Sequence, residues 1–290
     1  MRTDPAIRFS FRPVNGVTLH CAEAGPSNGP LIVLLHGFPE FWFAWRDYFE
    51  PLAMRGYHVV APDQRGYNLS AKPAGAEAYR LDVAAGDVFG LADAFGRETF
   101  HVVGHDWGAA VAWTMASANS GRLVSAAMLQ APHPAVWLRA LRTDPDQRQR
   151  SRYVQMLRLP WLSEMALKIG NYSALARAFK TSTRPEAFPP EAIEAYREAW
   201  RQPGALTAML NWYRALFVDE PRTPEPGSLT TPALVLWGDK DEFAVPRLAD
   251  DSAAFCRTVE LRHLPRASHW SIHDAPELVR DALMTLLRRA

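Results

Sequence analysis

The stretch with the clearest chemical potential is Phe100-His101-Val102-Val103-Gly104-His105-Asp106-Trp107-Gly108-Ala109-Ala110. It reads as an apolar strand, then Gly-x-Asp-x-Gly, then the start of a helix. A carboxylate in the middle of such a turn is lifted above the sheet edge. It faces the positive end of the following helix, which favours its charge. Side chains flanking so strained a turn would clash, and glycines at 104 and 108 avoid this. Gly-x-Asp-x-Gly alone occurs by chance in many loops, so the strand before it and the helix after it carry the argument.

A nucleophilic carboxylate becomes an ester, and discharging the ester needs N–H donors, a base and an orienting acid. Leu31 to Leu35 is a short apolar run that leads into His36-Gly37-Phe38-Pro39. The backbone N–H groups of Phe38 and of Trp107, the residue after Asp106, are the expected oxyanion donors; the plainer reading of the first segment is a Gly-Pro turn. The chain order expected for such a site is nucleophile, acid, histidine. His269 lies in Ala267-Ser268-His269-Trp270, after an alternating strand at Val259 to Leu264 and before the last helix. His263 and His273 read instead as surface or helix-end polar groups. Asp241, in Leu236-Trp237-Gly238-Asp239-Lys240-Asp241, follows a strand and is the expected acid. Asp239 competes with it but lies closer to the Gly238 turn, which it could simply cap.

These residues need a frame. Apolar runs of strand length recur at 31–35, 57–61, 100–104, 125–130 and 233–237, with helix-length segments at 81–95, 107–118 and 276–289. Continuous apolar strands alternating with helices predict a mostly parallel sheet covered on both faces. Val17 to Ala24 reads as an early antiparallel strand. The middle third differs: from about His133 to Ser228 only helical patterns occur, at 145–157, 162–180, 190–200 and 203–216. Met209, Trp212, Tyr213 and Leu216 share one helical stripe. Asp219 to Gly227 is a Pro-rich linker, and the sheet resumes at Pro232. The expected organisation is an α/β core over 1–132 and 231–290, interrupted by a helical lid over 133–230.

Composition narrows the classes. The chain has 290 residues, 32 Lys and Arg against 31 Asp and Glu, and 48% hydrophobic residues. The charge balance argues against a nucleic-acid binder and the apolar content against disorder. Two cysteines, Cys21 and Cys256, leave room for one disulfide at most and for no Cys-rich zinc site. The segment from Met1 to Phe11 carries Arg2, Asp4 and Arg8 and does not read as a secretory signal. No apolar run is long enough to span a bilayer. The expectation is a cytoplasmic monomer or homodimer with no nucleic-acid or membrane partner.

Taken together, His36-Gly37-Phe38-Pro39-Glu40-Phe41-Trp42-Phe43-Ala44-Trp45-Arg46 and Gly104-His105-Asp106-Trp107-Gly108 closely resemble the epoxide hydrolases of the α/β-hydrolase superfamily. Asp63-Gln64-Arg65-Gly66-Tyr67 and the stretch from Leu236 to Pro246 are similar too. The resemblance covers nearly the whole chain, lid included. It implies an α/β-hydrolase fold and a cofactor-free, metal-free reaction of water with a small epoxide. It also implies two lid tyrosines that hydrogen-bond the epoxide oxygen. Asn211-Trp212-Tyr213-Arg214 and Ser151-Arg152-Tyr153 resemble the segments that carry them, which maps the pair to Tyr213 and Tyr153. The same elbow belongs to haloalkane and haloacetate dehalogenases, a rival reading with the same Asp106, His269 and Asp241. Those enzymes hold a halide with N–H donors, of which Trp107 offers one. The haloacetate enzymes also place arginines just after the nucleophile, where this chain has Ala109, Ala110 and Val111. A non-catalytic ligand-binding protein on this fold is the more distant rival. Many family elbows end in Gly-Gly, whereas Gly108 is followed by Ala109. His36, Pro39, Trp161, Trp212 and His133 are the expected pocket residues, His133 with the alternative of merely turning the chain into the lid. Phe38, Trp107, Trp161 and Trp212 point to an apolar or aryl substrate.

Overall fold

A computed structural model describes residues 7–218 and 221–289. Arg2 and Asp4, and Asp219 and Glu220 at the start of the linker, lie outside the described residues. One sheet contains β1 (Arg8–Val14), β2 (Val17–Ala24), β3 (Leu31–Leu35), β4 (His58–Pro62), β5 (Phe100–His105), β6 (Leu123–Leu129), β7 (Ala233–Gly238) and β8 (Val259–Leu264). Its spatial order is β1-β2-β4-β3-β5-β6-β7-β8. β2 runs antiparallel to β1 and β4, and every later pairing is parallel.

The helices before the middle segment are α1 (Phe49–Ala53), α2 (Leu81–Ala94) and α3 (Trp107–Ser117). After it come α10 (Arg247–Ala253), α11 (Ser271–Asp274) and α12 (Pro276–Arg289). The strands read as continuous apolar runs because both faces are covered. Val33, Val60, Val102 and Val235 pack with α2, α3 and α10, whereas Ile32, Leu34, Val59 and Leu234 pack with α1 and α12. That two-residue alternation is the strand period sorting one run between two cores. The two cysteines are free and buried.

Between β6 and β7 lie α4 (Pro134–Thr143), α5 (Pro145–Arg150), α6 (Arg152–Leu157), α7 (Leu162–Ala178), α8 (Pro190–Arg201) and α9 (Ala205–Ala215), with no strand among the described residues there. The helix expected over 145–157 is two, separated at Ser151. α7 is broken from Ile169 to Tyr172, where Gly170, Asn171 and Tyr172 adopt positive φ. Four aromatic side chains tie this segment to the sheet domain. The Tyr196 hydroxyl donates to Glu40 Oε1 at 2.7 Å, and Trp200 Nε1 donates to the Pro39 carbonyl at 2.6 Å. Trp212 Nε1 donates to the Arg65 carbonyl at 3.1 Å, and the Phe179 ring packs tilted against Trp270, centroids 4.8 Å apart.

Candidate active site

Asp106 sits at the junction of β5 and α3 with φ 52° and ψ −118°, a conformation that L residues rarely adopt. Three glycines make room for it. A Cβ at Gly104 would lie 2.1 Å from the Gly108 carbonyl oxygen, and one at Gly108 would lie 2.1 Å from that of Leu35. One at Gly37 would lie 2.3 Å from Asp106 Oδ1 itself. Ala109, in place of a second glycine, is fully buried and its N–H donates to the Asp106 carbonyl at 2.9 Å, so its methyl fits the elbow.

The carboxylate is addressed from two sides. The Phe38 N–H donates to Oδ1 at 2.7 Å. His269 Nε2 stands 3.6 Å from Oδ2. Trp107 is the first residue of α3, so its backbone N–H has no intrahelical acceptor. His269 Nδ1 is 2.9 Å from Asp241 Oδ2. Asp241 is held in turn by the N–H groups of Phe243 and Ala244 at 2.7 and 3.1 Å, and by Gln130 Nε2 at 2.8 Å. Gln130 has φ +55° and also accepts from the Gly238 N–H, so it locks the ends of β6 and β7 together beneath the acid. Asp239 pairs with His263 at 2.6 Å, both part-exposed, away from this chain of contacts.

Burial pulls the His269 pKa down, but the charges of Asp241, Asp106 and Glu40 outweigh it and hold the imidazole at about 9. Glu40 belongs to a second buried cluster. It accepts from Tyr196 and is 2.8 Å from His273 Nε2, while His105 Nδ1 is at the ion-pair distance of 3.5 Å. The other nitrogen of His105, Nε2, is 2.8 Å from the His269 carbonyl. Burial alone would raise the Glu40 pKa, and the neighbouring His273 and His105 instead hold it well below the usual carboxylate range. His273 is therefore not the surface group its helix-end position suggested. The signal was Glu40, an acid directly after the His-Gly-Phe-Pro run.

Tyr153 of α6 and Tyr213 of α9 line one cavity of about 80 Å³ with Asp106 and His269. Their ring centroids are 6.2 Å apart, and Tyr213 packs 5.1 Å from both Phe38 and Trp107. Burial raises both phenol pKa values above the ordinary one; the Asp106 charge adds to this for each. Both are therefore protonated donors at neutral pH. The other lid tyrosine with a buried hydroxyl contact, Tyr196, serves Glu40 instead.

Residues 30–276 match the family described as alpha/beta hydrolase fold. The chain belongs to the α/β-hydrolase superfamily. This hydrolase is 43% identical to the AB hydrolase superfamily protein YfhM of Bacillus subtilis, over 97% of this chain and 98% of that protein. It is 32% identical to epoxide hydrolase 4 of Mus musculus, over 94% of this chain and 77% of that one. A crystal structure of an epoxide hydrolase of Bacillus megaterium with an inhibitor superposes with a TM-score of 0.86 at 29% identity, covering 96% of this chain and 100% of that one. The resemblance to epoxide hydrolases read from the motifs is borne out by these relatives.

The expected pocket residues of the hydrolase need correction. Trp161 is 82% exposed and does not line the cavity that holds Asp106 and His269. His36 is fully buried; it is 3.0 Å from the Gly37 carbonyl through Nδ1 and accepts the Gln64 N–H through Nε2, so it shapes the loop that aims Phe38. Pro39 meets Trp200 through its carbonyl. His133 caps α4 by accepting the Ala135 N–H at 3.2 Å, and burial pushes its pKa down to about 4. His133 and Trp212 line an adjoining cavity of about 300 Å³, not the one holding Asp106. The Asp106 cavity is instead walled by Leu81, Trp137, Val154, Leu216 and Phe243. Phe243 also packs 4.9 Å from the His269 ring. Sequence position does not single these out, since each is an ordinary apolar residue on its element.

Proposed function

We propose that this chain hydrolyses an epoxide to a vicinal diol through an ester on Asp106. The observation that carries the reading is one cavity holding a nucleophile-like carboxylate, an acid-paired histidine and two protonated phenols. The relatives named as epoxide hydrolases support it. Residues 133–230 act as the lid and 1–132 with 231–290 as the core.

The two carboxylate oxygens have different work. Oδ1 is held by the Phe38 N–H, and Oδ2 is left for attack. As Oδ2 bonds to a saturated epoxide carbon, the ring C–O bond breaks, and the ring oxygen takes its proton through Tyr153 and Tyr213. Each such proton donor contributes about 10²- to 10⁴-fold. Alkylation cancels the Asp106 charge, one of those holding the His269 pKa up. The imidazole thereby gives up its proton more readily and is free to accept one from water once there is an ester to hydrolyse. His269 takes a proton from water, and the hydroxide adds to Cγ. The N–H groups of Phe38 and Trp107 stabilise the oxyanion on Oδ1, at about 3 to 4 kcal/mol per donor in comparable sites. Collapse breaks the Cγ–Oδ2 bond, the departing alkoxide takes the proton held by His269 and leaves as the diol carrying Oδ2, the remaining carboxyl proton returns to the phenols, and the water oxygen stays in Asp106. The apolar walls of the cavity favour an apolar or aryl substituent.

One observation favours the dehalogenase alternative. Trp107 Nε1 is buried with no hydrogen-bond partner among the described residues, and its ring lines the cavity, so it offers a halide one donor. The two phenols have no corresponding work in halide loss. The test is a panel of apolar epoxides, haloalkanes and haloacetates assayed together. Diol formed without halide release is the expected result; halide release without diol selects the alternative, and turnover of neither removes both.

A further inference from the structure

The lid carries an unusual surface. Among the exposed large hydrophobic side chains, Met156, Leu159, Trp161, Leu162, Met165 and Ile169 fall within one run through α6, α7 and the turn between them. Leu162, Met165 and Ile169 are spaced as one helical face, while Ser163 and Leu167 between them are buried. Trp161, 82% exposed, is held outward on a backbone with φ +67°. Among the described residues its indole makes no hydrogen bond or ring contact.

The charge around this face is as uneven as its polarity. Residues 145–184 contain eight Lys and Arg against two acids, in a chain whose net charge is +1. One of the two acids, Glu164, is bonded to Arg214 at 2.9 Å. Arg148, Arg152, Lys168, Arg177 and Lys180 are exposed. A second copy of the chain is a poor occupant, because a two-fold contact sets each patch against itself and like charge against like. An anionic bilayer surface satisfies both features. Its headgroups take the cations, and its interface takes Trp, Leu, Met and Ile side chains.

We propose that the α6–α7 face of the lid docks on an anionic lipid surface. This revises the expectation of no membrane partner, which rested on the lack of a spanning segment. No helix among the described residues is long and apolar enough to cross a membrane, and docking requires none. α6 also carries Tyr153 and Val154 into the catalytic cavity. On the proposed hydrolase reading, the face that meets the lipid and the cavity that meets the epoxide share one short helix, so an apolar epoxide dissolved in the bilayer is presented beside its site.

The experiment is co-sedimentation of the full chain with vesicles of phosphatidylcholine alone and of phosphatidylcholine with phosphatidylglycerol, at low and high salt. Binding to the phosphatidylglycerol vesicles that weakens with salt is expected, with little binding to the neutral ones. The exposed triple change Trp161→Ser, Leu162→Ser, Met165→Ser weakens it about tenfold or more. The double change Arg152→Glu, Lys168→Glu does the same. Thermal unfolding and turnover of a water-soluble epoxide are measured on both variants. Unchanged values there show that fold and site survive, and a chain without epoxide turnover still reports on docking through sedimentation. No association with anionic vesicles overturns the proposal, as does association that survives either set of changes. A dimer in solution that the triple change dissolves, without vesicle binding, assigns the face to a second copy and also overturns it.

Discussion

Gly37→Ala is the sharpest perturbation the site offers, because it adds one methyl and replaces no functional side chain. The new Cβ would lie 2.3 Å from Asp106 Oδ1 and 2.4 Å from its Cβ. Carbon and oxygen that are not bonded approach to about 3.3 Å, so the carboxylate or the loop must yield by roughly 1 Å. A misplacement of that size costs about 10²-fold in rate. The Phe38 N–H, now 2.7 Å from Oδ1, moves with the loop. Loss of one oxyanion donor costs about 10² to 10³-fold in comparable sites. Both ester formation and ester hydrolysis should therefore fall by about 10²-fold or more. Quench-flow single turnover, which separates the two steps, is the assay, and a thermal melt checks that the fold survives. Gly90→Ala in α2 is the control, since its φ is ordinary and the Cβ it would add meets nothing closer than 3.4 Å. A Gly37→Ala variant that folds and keeps both steps within about threefold of the parent would refute the reasoning that this glycine holds the carboxylate against its donor.

Tyr213→Phe and Tyr153→Phe should each slow ester formation by about 10²-fold or more while leaving ester hydrolysis nearly unchanged. Equal slowing of both steps would remove the phenols from the ring-opening role. Asp106→Asn should lower the His269 pKa from about 9, because it removes one of the charges holding it there. Titration of the imidazole by nuclear magnetic resonance checks this, and an unchanged value would sever the link between alkylation and release of the imidazole proton. The same shift has a stability sign. His269 is raised above its ordinary value of 6.5, so its stabilising contribution is full below that pH and is lost as pH rises through about 9. The parent should lose more thermal stability than His269→Gln across that window, and parallel losses would contradict the pairing.

Much of the frame is legible because both faces of the middle of the sheet are covered, so β3 at Leu31–Leu35 stands at the boundaries its apolar run predicts, while the alternating run Val259–Leu264 is β8, a part-exposed edge strand. β1 at Arg8–Val14 was not read as a strand, since it is an edge with Phe9 and Phe11 exposed. Asp106, His269 and Asp241 could be read from strand ends and chain order, and they stand in sequential contact. The pocket is less legible: Trp161 and Trp212 have large rings beside suggestive motifs, yet which face of a helix looks inward depends on where α6, α7 and α9 cross, and no local pattern encodes that. Gln130 escaped notice because its work follows from a positive φ at the end of β6. Glu40 escaped because its partners Tyr196, His105 and His273 come from three distant segments.

The central claim is that a covalent ester forms on Asp106 and that water attacks the carboxyl carbon, not the epoxide. Single turnover in heavy-oxygen water, followed by mass analysis of the peptide carrying Asp106, tests it directly. The account predicts one heavy oxygen in the Asp106 carboxylate and none in the diol from that first turnover. Heavy oxygen in the diol, with an unlabelled Asp106, would contradict it.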